Sequence, residues 1–292
     1  MTLSFHFTQE PIAPLTPGLY IVPVPLGNSQ DVTLRALQVL SQVDTIACED
    51  TRVTEKFLRS YKISKPLMSL HDHNEQGRIP QVLERLGQGQ SIALVSDAGT
   101  PLISDPGYRV LQAVLEAGLT VVPLPGPCAA ICALSASGLP THHFYFHGFL
   151  KPKSAARQKE LSILKTLQGT LVFYEAPHRV QETMEDILTV LGNRQVVVAR
   201  EITKTYESFL RGTAQDVLAS MIQTPLRGEI VVMVAPQLAG EEEVDLDALL
   251  RMSLGENTLK SAVQEVMNLT GLSRKDVYAR ALALRPSLGD PL

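Results

Sequence analysis

Cysteine is scarce in this sequence. Cys48, Cys128 and Cys132 are its only three, too few for a complete disulfide framework and without the paired close spacing of a zinc cage. A reducing cytoplasm fits that usage. An excess of positive charge is missing too: 26 Lys and Arg stand against 30 Asp and Glu, a net charge of −4. That balance counts against a protein held to nucleic acid by its overall charge. The start, MTLSFHFTQEPIAP, has an acid and prolines where a secretory signal has a basic start and an apolar core. Residues 117–150 contain no Asp, Glu, Lys or Arg, yet Pro123, Pro125, Pro127 and Pro140 interrupt them along with several glycines. They read as a buried interior segment rather than a membrane span. Both common phosphate-binding glycine motifs are also absent. No G-x-G-x-x-G follows the first apolar run and no G-x-x-x-x-G-K-[ST] occurs anywhere, which disfavours a dinucleotide fold.

What remains is a soluble globular composition, 45% hydrophobic and 19% charged over 292 residues, long enough for two domains. Short apolar runs alternate with helical patterns: LYIVPVP (19–25), a helix with Leu34, Leu37 and Leu40, then TIACED, PLMSL, SIALV and TVVPLP. Such alternation predicts a parallel, doubly wound sheet. From Gly126 a second series begins, ending in three strands that follow one another closely (VVVARE, YESFLRG, EIVVMV), which predicts a mixed sheet. The expected organisation is an N-terminal arm (1–16), an α/β domain (17–125), a second α/β domain (126–238), and an acidic linker with a short helical extension (239–292).

Three predicted strands are followed by loops of Pro, Gly and small residues: PVPLGN, SDAGTPLISDPG and PLPGPCAA. Ligands of doubly wound sheets sit at the carboxyl ends of the strands, and small residues let a backbone approach a ligand closely. With GLYIVPVPLGNSQDVTLRAL, ACEDTR, LHDHNE, ALVSDAGTPLISDPGY, FYEAPHR, TKTYE and RGEIVV, these stretches span residues 18–234 in order. On them the chain resembles the tetrapyrrole methylase superfamily, and within it the branch that methylates cytidine 2′-hydroxyls of bacterial 16S ribosomal RNA.

The resemblance implies two α/β domains with S-adenosylmethionine in the cleft between them, and commonly a homodimer. It carries the cofactor contacts onto Pro25, Asp97, Ala98, Gly99, Thr100, Ile103, Cys128, Ala129, Tyr174 and Gly212. The superfamily's commoner Gly-Gly-Asp-Pro reads Ala-Gly-Thr-Pro here, so Thr100 replaces an acid whose role would fall to Asp97 or Asp105.

Methyl transfer to a hydroxyl is an in-line displacement that a nearby base assists. Glu49, Asp50 and Glu175 are expected to shape the reaction cleft, without the sequence saying which group, if any, is the base. Arg52, His71, His73 and Arg179 stand beside those acids as candidate RNA contacts. Asp50 with Arg52 could equally be a helix cap with a surface ion pair, and Glu175 a capping acid. His71, Asp72 and His73 resemble a metal set only superficially, and no metal is expected. The stretch 151–165 holds five bases, among them Lys151, Lys153 and Arg157, against the single acid Glu160. It reads as a phosphate-gripping arm or as a solvated face.

The extension reads as two helices around a turn at Gly271, with Ser273 capping the second. Apolar stripes run through Leu259, Val263, Val266 and Met267, and through Val277, Ala281, Leu282 and Leu284. Arg274, Lys275 and Arg280 are expected against RNA, in the manner of a helix-turn-helix; the bland reading is a small helical cap. Two other functions stay open: a methyltransferase for a tetrapyrrole small molecule, and a catalytically silent ribosome-binding factor.

Overall fold

The computed structural model describes residues 14–237, 246–270 and 273–284. Most of the N-terminal arm, the greater part of the acidic linker, the turn glycine Gly271 and Arg285 lie outside the described residues. Strands β1 (Gly18–Ile21), β2 (Thr45–Cys48), β3 (Leu67–Ser69), β4 (Ser91–Val95) and β5 (Val121–Pro123) form a parallel sheet in the order β3-β2-β4-β1-β5. Strands this uniformly apolar need cover on both faces. Helices α1 (Leu34–Gln42) and α2 (Thr51–Ser60) pack with Tyr20, Val22 and Ile46. Helices α3 (Glu75–Gly87) and α4 (Tyr108–Glu116) pack with Leu19, Ile21 and Met68 on the other face.

The leucine spacing in α1 misplaces its buried stripe. Leu34 is exposed, and the seated residues are Ala36, Val39, Leu40 and Val43, an i, i+3, i+4, i+7 set whose small first member lets the helix sit close. The loop after β1 leads to a helix on one face and the loop after its neighbour β4 to a helix on the other. Diverging loops at adjacent strands open a crevice.

The second sheet follows from helix α5 (Ala129–Ser137), through β6 (Phe144–Phe149), α6 (Ser154–Leu164), β7 (Thr170–Glu175), α7 (Val180–Leu191), β8 (Gln195–Arg200), β9 (Ser208–Thr213), α8 (Ala214–Gln223) and β10 (Ile230–Val234). Its order is β6-β7-β10-β8-β9, with β6 and β7 parallel and the other pairs antiparallel. Ala130, Ala133 and Leu134 of α5 pack on Val172, Val197, Val231 and Met233 of one sheet face.

Arg157 corrects the reading of the basic stretch. It is 1% exposed, its Nε lies 2.6 Å from Asp186 on α7, and it donates to the Pro152 carbonyl at 3.2 Å. A guanidinium so enclosed joins α6 to α7 and is not free for phosphate. Lys151 and Lys153 are exposed, with Lys151 4.0 Å from Glu160.

Both sheets belong to one compact unit, and residues from Pro236 onward belong, with Lys165–Gln168, to another. The second unit holds α9 (Leu246–Glu256), α10 (Leu259–Thr270) and α11 (Arg274–Leu284). Leu250, Val263, Val266, Val277, Ala281 and Leu284 form its core. Leu282, expected in that stripe, is exposed. Ser273 caps α11, its hydroxyl accepting from Asp276 N–H and donating to the Asp276 carboxylate at 2.6 Å. Among the described residues no helix is long and apolar enough to cross a membrane.

Candidate functional site

The three small-residue loops are tied to one another by their own backbones. Val24 and Gly99 exchange two N–H to carbonyl bonds, at 2.9 and 3.0 Å. The Thr100 hydroxyl donates to the Pro127 carbonyl at 2.7 Å, so this threonine braces a loop where the superfamily pattern has an acid. The Tyr174 hydroxyl on β7 accepts from the Ala130 N–H in the first turn of α5, at 3.2 Å. Together they border a cleft of 350 Å³ between the two sheets.

Of the residues expected against a cofactor, Ala98, Gly99, Thr100, Ile103, Cys128, Ala129 and Tyr174 line this cleft. Three do not. Pro25 and Asp97 face a separate groove on the other side of the β1 loop. Gly212 of β9 pairs with Val196 of β8, at the end of the sheet away from the cleft-lining Tyr174 and Ile230. The glycine beside the second sheet that borders the cleft is Gly228, at φ +87, where a Cβ would run into the Glu201 carboxyl. It lies in the RGEIVV stretch, which was the available signal.

Two further elements lie in stretches the sequence singled out, but their geometry was not legible there. Leu102 and Ser104 hold left-handed backbone at φ 74 and 68, a strain that clusters at functional sites, and the same loop carries Asp105 on the cleft wall. Burial, then the nearby Glu49, Asp97 and Asp72 carboxylates, push Asp105 up to about 6. The TKTYE stretch forms a strap. Lys204 Nζ lies 3.0 Å from Glu201 and 3.1 Å from Glu229, its stem lies flat on Gly27, and Thr203 accepts from Asn28 N–H at 3.2 Å. Through it the second sheet reaches across to the β1 loop, and Ile202 lines the cleft.

The acids expected at the reaction centre divide. Glu175 is fully enclosed: its carboxylate accepts from Ala176 N–H and the Thr183 hydroxyl, at 2.8 and 2.7 Å, and lies 3.3 Å from Arg179. It braces the turn before α7 from within, and since no side chain caps that helix it is neither an open catalytic acid nor a helix cap. Arg179 in turn donates to the Leu150 carbonyl at 2.7 Å, an internal tie rather than a phosphate contact.

Asp50 caps α2 and binds Arg52 through both oxygens. Those bonds hold it down at about 2, too acidic to take a proton at neutral pH. Glu49, Asp50, Arg52, His71, His73 and Asp97 do converge, on an open depression beyond β2–β4. Burial and the Asp97 charge raise Glu49 above the usual carboxylate range, and the buried His71 Nδ1 has no hydrogen-bond partner. Among the described residues no group of three or more His, Cys, Asp or Glu is arranged to hold a metal.

The cleft lining contains no Lys, Arg or His, but includes Asp105, Glu175 and Glu229. Glu175 and Glu229 are balanced by Arg179 and Lys204, which stand behind the lining, so the cleft offers a phosphate no cation and leaves Asp105 as the acid facing an organic cation such as a sulfonium. Comparison with known proteins points the same way. The sequence profile of Tetrapyrrole (Corrin/Porphyrin) Methylases matches residues 18–218. The chain belongs to this family. A second profile, the RsmI C-terminal HTH domain, matches residues 240–285.

Ribosomal RNA small subunit methyltransferase I of Escherichia coli O157:H7 is 48% identical, over 90% of this chain and 94% of its own length. The protein of the same name from Mesorhizobium japonicum is 42% identical over 97% of both chains. Among solved structures of the methylase fold, the methyltransferase CobJ superposes with a TM-score of 0.58 at 19% identity, covering 75% of this chain and 94% of its own. A Thermus thermophilus uroporphyrin-III C-methyltransferase complexed with S-adenosylhomocysteine superposes at 0.54 and 15% identity, covering 75% and 97%.

Proposed function

We propose that this methylase transfers a methyl group from S-adenosylmethionine to the ribose 2′-hydroxyl of a cytidine in small-subunit ribosomal RNA. The observation that carries this reading is likeness over the whole chain. Relatives named as ribosomal RNA methyltransferases match through the C-terminal helices, whereas the tetrapyrrole enzymes use nearly all of their own length and leave a quarter of this chain unmatched. A tetrapyrrole substrate would give that quarter nothing to do, and a silent binding factor would give no work to the cleft.

S-adenosylmethionine supplies the activated methyl when bound. Ala98, Gly99, Cys128 and Ala129 present backbone edges and room for a flat ring, and the Asp105 carboxylate suits the sulfonium. Asp105 is the carboxylate placed on that wall with an affinity for protons near neutrality, and it receives the hydroxyl proton as the nucleophile attacks. The β1 loop and the strap from Ile202 to Lys204 keep the reacting groups oriented and water out.

The assembled small subunit is the substrate and the cytoplasm the compartment, in keeping with a ribosomal target. The resemblance implies a homodimer, and the exposed aromatic residues Phe144 and Tyr145 on edge strand β6 supply a surface for it. The deciding experiment offers labelled S-adenosylmethionine with small ribosomal subunits, with porphyrinoid precursors, or alone. Label on the subunit RNA as a 2′-O-methylcytidine is expected; label on the porphyrinoid, or on nothing, overturns the reading.

A further inference from the structure

A groove of 440 Å³ runs along the side of the β1 loop opposite the cleft. Val24, Val53 and Phe57 give it apolar walls, and Asp97 and Lys56 are its charged residues. Leu26 lines both groove and cleft, and Asp97 is followed directly by Ala98, which lines the cleft. Groove and cleft thus share a wall at Leu26 and at the Asp97–Ala98 step. Apolar walls with one carboxylate, one cation and the hydroxyls of Ser29, Thr54, Ser60 and Ser96 at their margin suit a nucleobase, an apolar ring with a few polar edge groups.

The acceptor discriminates among bases. Asp97 Oδ1 takes the Asp50 N–H at 3.2 Å, which leaves Oδ2 to accept from a ligand. A carboxylate accepts from the exocyclic amine of cytosine, and meets only another acceptor at the same position of uracil. Lys56 is exposed on α2 one turn after Arg52, so both cations lie on the helix face beside the groove, where a phosphate backbone would run.

We propose that this groove seats the pyrimidine base of the target cytidine, with Asp97 accepting from its amine and Lys56 meeting the adjoining phosphate. The proposal rests on the ribosomal RNA reading above and adds the subsite that chooses the base. It also moves Asp97 from the cofactor to the substrate.

The test is Asp97→Asn. The amide oxygen can keep the Asp50 N–H bond, so the amide nitrogen takes the place of Oδ2 and offers a donor, which matches uracil. Single-turnover methylation is measured at saturating S-adenosylmethionine on small subunits reconstituted with cytidine or uridine at the modified position. Cofactor affinity is followed separately by calorimetry.

The wild-type protein is expected to prefer cytidine, and Asp97→Asn to shift the cytidine-to-uridine rate ratio by about tenfold or more toward uridine, with cofactor affinity unchanged. Lys56→Glu is expected to weaken subunit binding and leave that ratio alone. An unchanged ratio in Asp97→Asn overturns the proposal, as does a loss of cofactor affinity, which would return Asp97 to the cleft. If the wild-type protein methylates neither particle, the ribosomal RNA reading itself falls, and this subsite with it.

Discussion

Val24 and Gly99 form a two-residue antiparallel bridge between the loops after β1 and β4, two strands that are themselves parallel neighbours. The bridge turns the chain back over the sheet end and so builds one wall of the cleft. Gly99 can do this because its φ is +77, and a Cβ there would stand 3.1 Å from Leu26 Cδ2 and 3.7 Å from the Pro127 carbonyl. Gly99→Val is expected to destabilise the protein by about 1–3 kcal/mol through backbone strain and to abolish cofactor binding, because the shifted wall is the binding surface. Calorimetric titration with S-adenosylhomocysteine beside a thermal melt separates the two effects. Wild-type affinity in a folded Gly99→Val protein would mean that the loop does not touch the cofactor.

The cleft was legible in the sequence wherever backbone made it. Small residues after apolar runs have few reasons to cluster at one sheet end, so Ala98, Gly99, Cys128 and Ala129 could be picked out. Charged residues were harder to place, because a motif does not say which way a carboxylate points. Glu175 and Arg179 stand in YEAPHR and Arg157 in a basic run, yet all three are consumed by contacts inside the fold. Glu75, within LHDHNE, accepts from the Arg109 and Val110 N–H groups and caps α4, 34 and 35 residues away. No local pattern reveals a partner that distant. Gly212 and Gly228 are alike as letters, and only strand register puts one near the cleft and the other far from it.

Asp105 gives the reaction a pH dependence of definite sign. Only the ionised carboxylate can accept a proton, so the single-turnover rate is expected to rise with pH around a midpoint near 6. Asp105→Asn should lower the rate by about 10²–10⁴-fold, the usual weight of a general base, and remove that limb of the profile. Stability moves the other way. The folded-state value lies above the ordinary 3.8, so the folded protein binds the proton more tightly than the unfolded chain. Stability is then lost as pH rises from about 4 to 6. At neutral pH Asp105→Asn should therefore melt higher, by about 1–2 kcal/mol after allowance for partial exposure. A lower melting temperature would show that the carboxylate holds the loop together.

Arg157 and Asp186 should behave as a structural pair. Removing the guanidinium leaves a carboxylate enclosed without its cation, which typically costs about 3–5 kcal/mol. Arg157→Met is expected to lower stability by that order in denaturant melts. Lys151→Glu and Lys153→Glu, on the solvent side of the same stretch, should leave the melt alone and weaken subunit binding. Equal stability of Arg157→Met and the wild-type protein would make the buried pair dispensable.

The C-terminal helices divide their basic residues in a way that the charge count conceals. Arg280 lies with both Nε and a terminal nitrogen on Asp247, at 2.6 and 2.7 Å, so it ties α11 to the start of α9. Arg274 and Lys275 begin α11 and are exposed. Phosphate contacts release counterions and steepen the salt dependence of binding by about 0.7–0.9 in logarithmic slope for each contact. Arg274→Glu with Lys275→Glu is therefore expected to weaken subunit binding and flatten its salt dependence, with cofactor affinity unchanged. Arg280→Ala should instead loosen the three-helix unit and leave the slope close to that of the wild-type protein. Truncation after Gln237 should combine the losses, giving a protein that binds cofactor and methylates assembled subunits far more slowly. Full-rate methylation by the truncated protein would reduce these helices to a structural cap, and an unchanged slope in the Arg274/Lys275 double variant would move the RNA contact elsewhere.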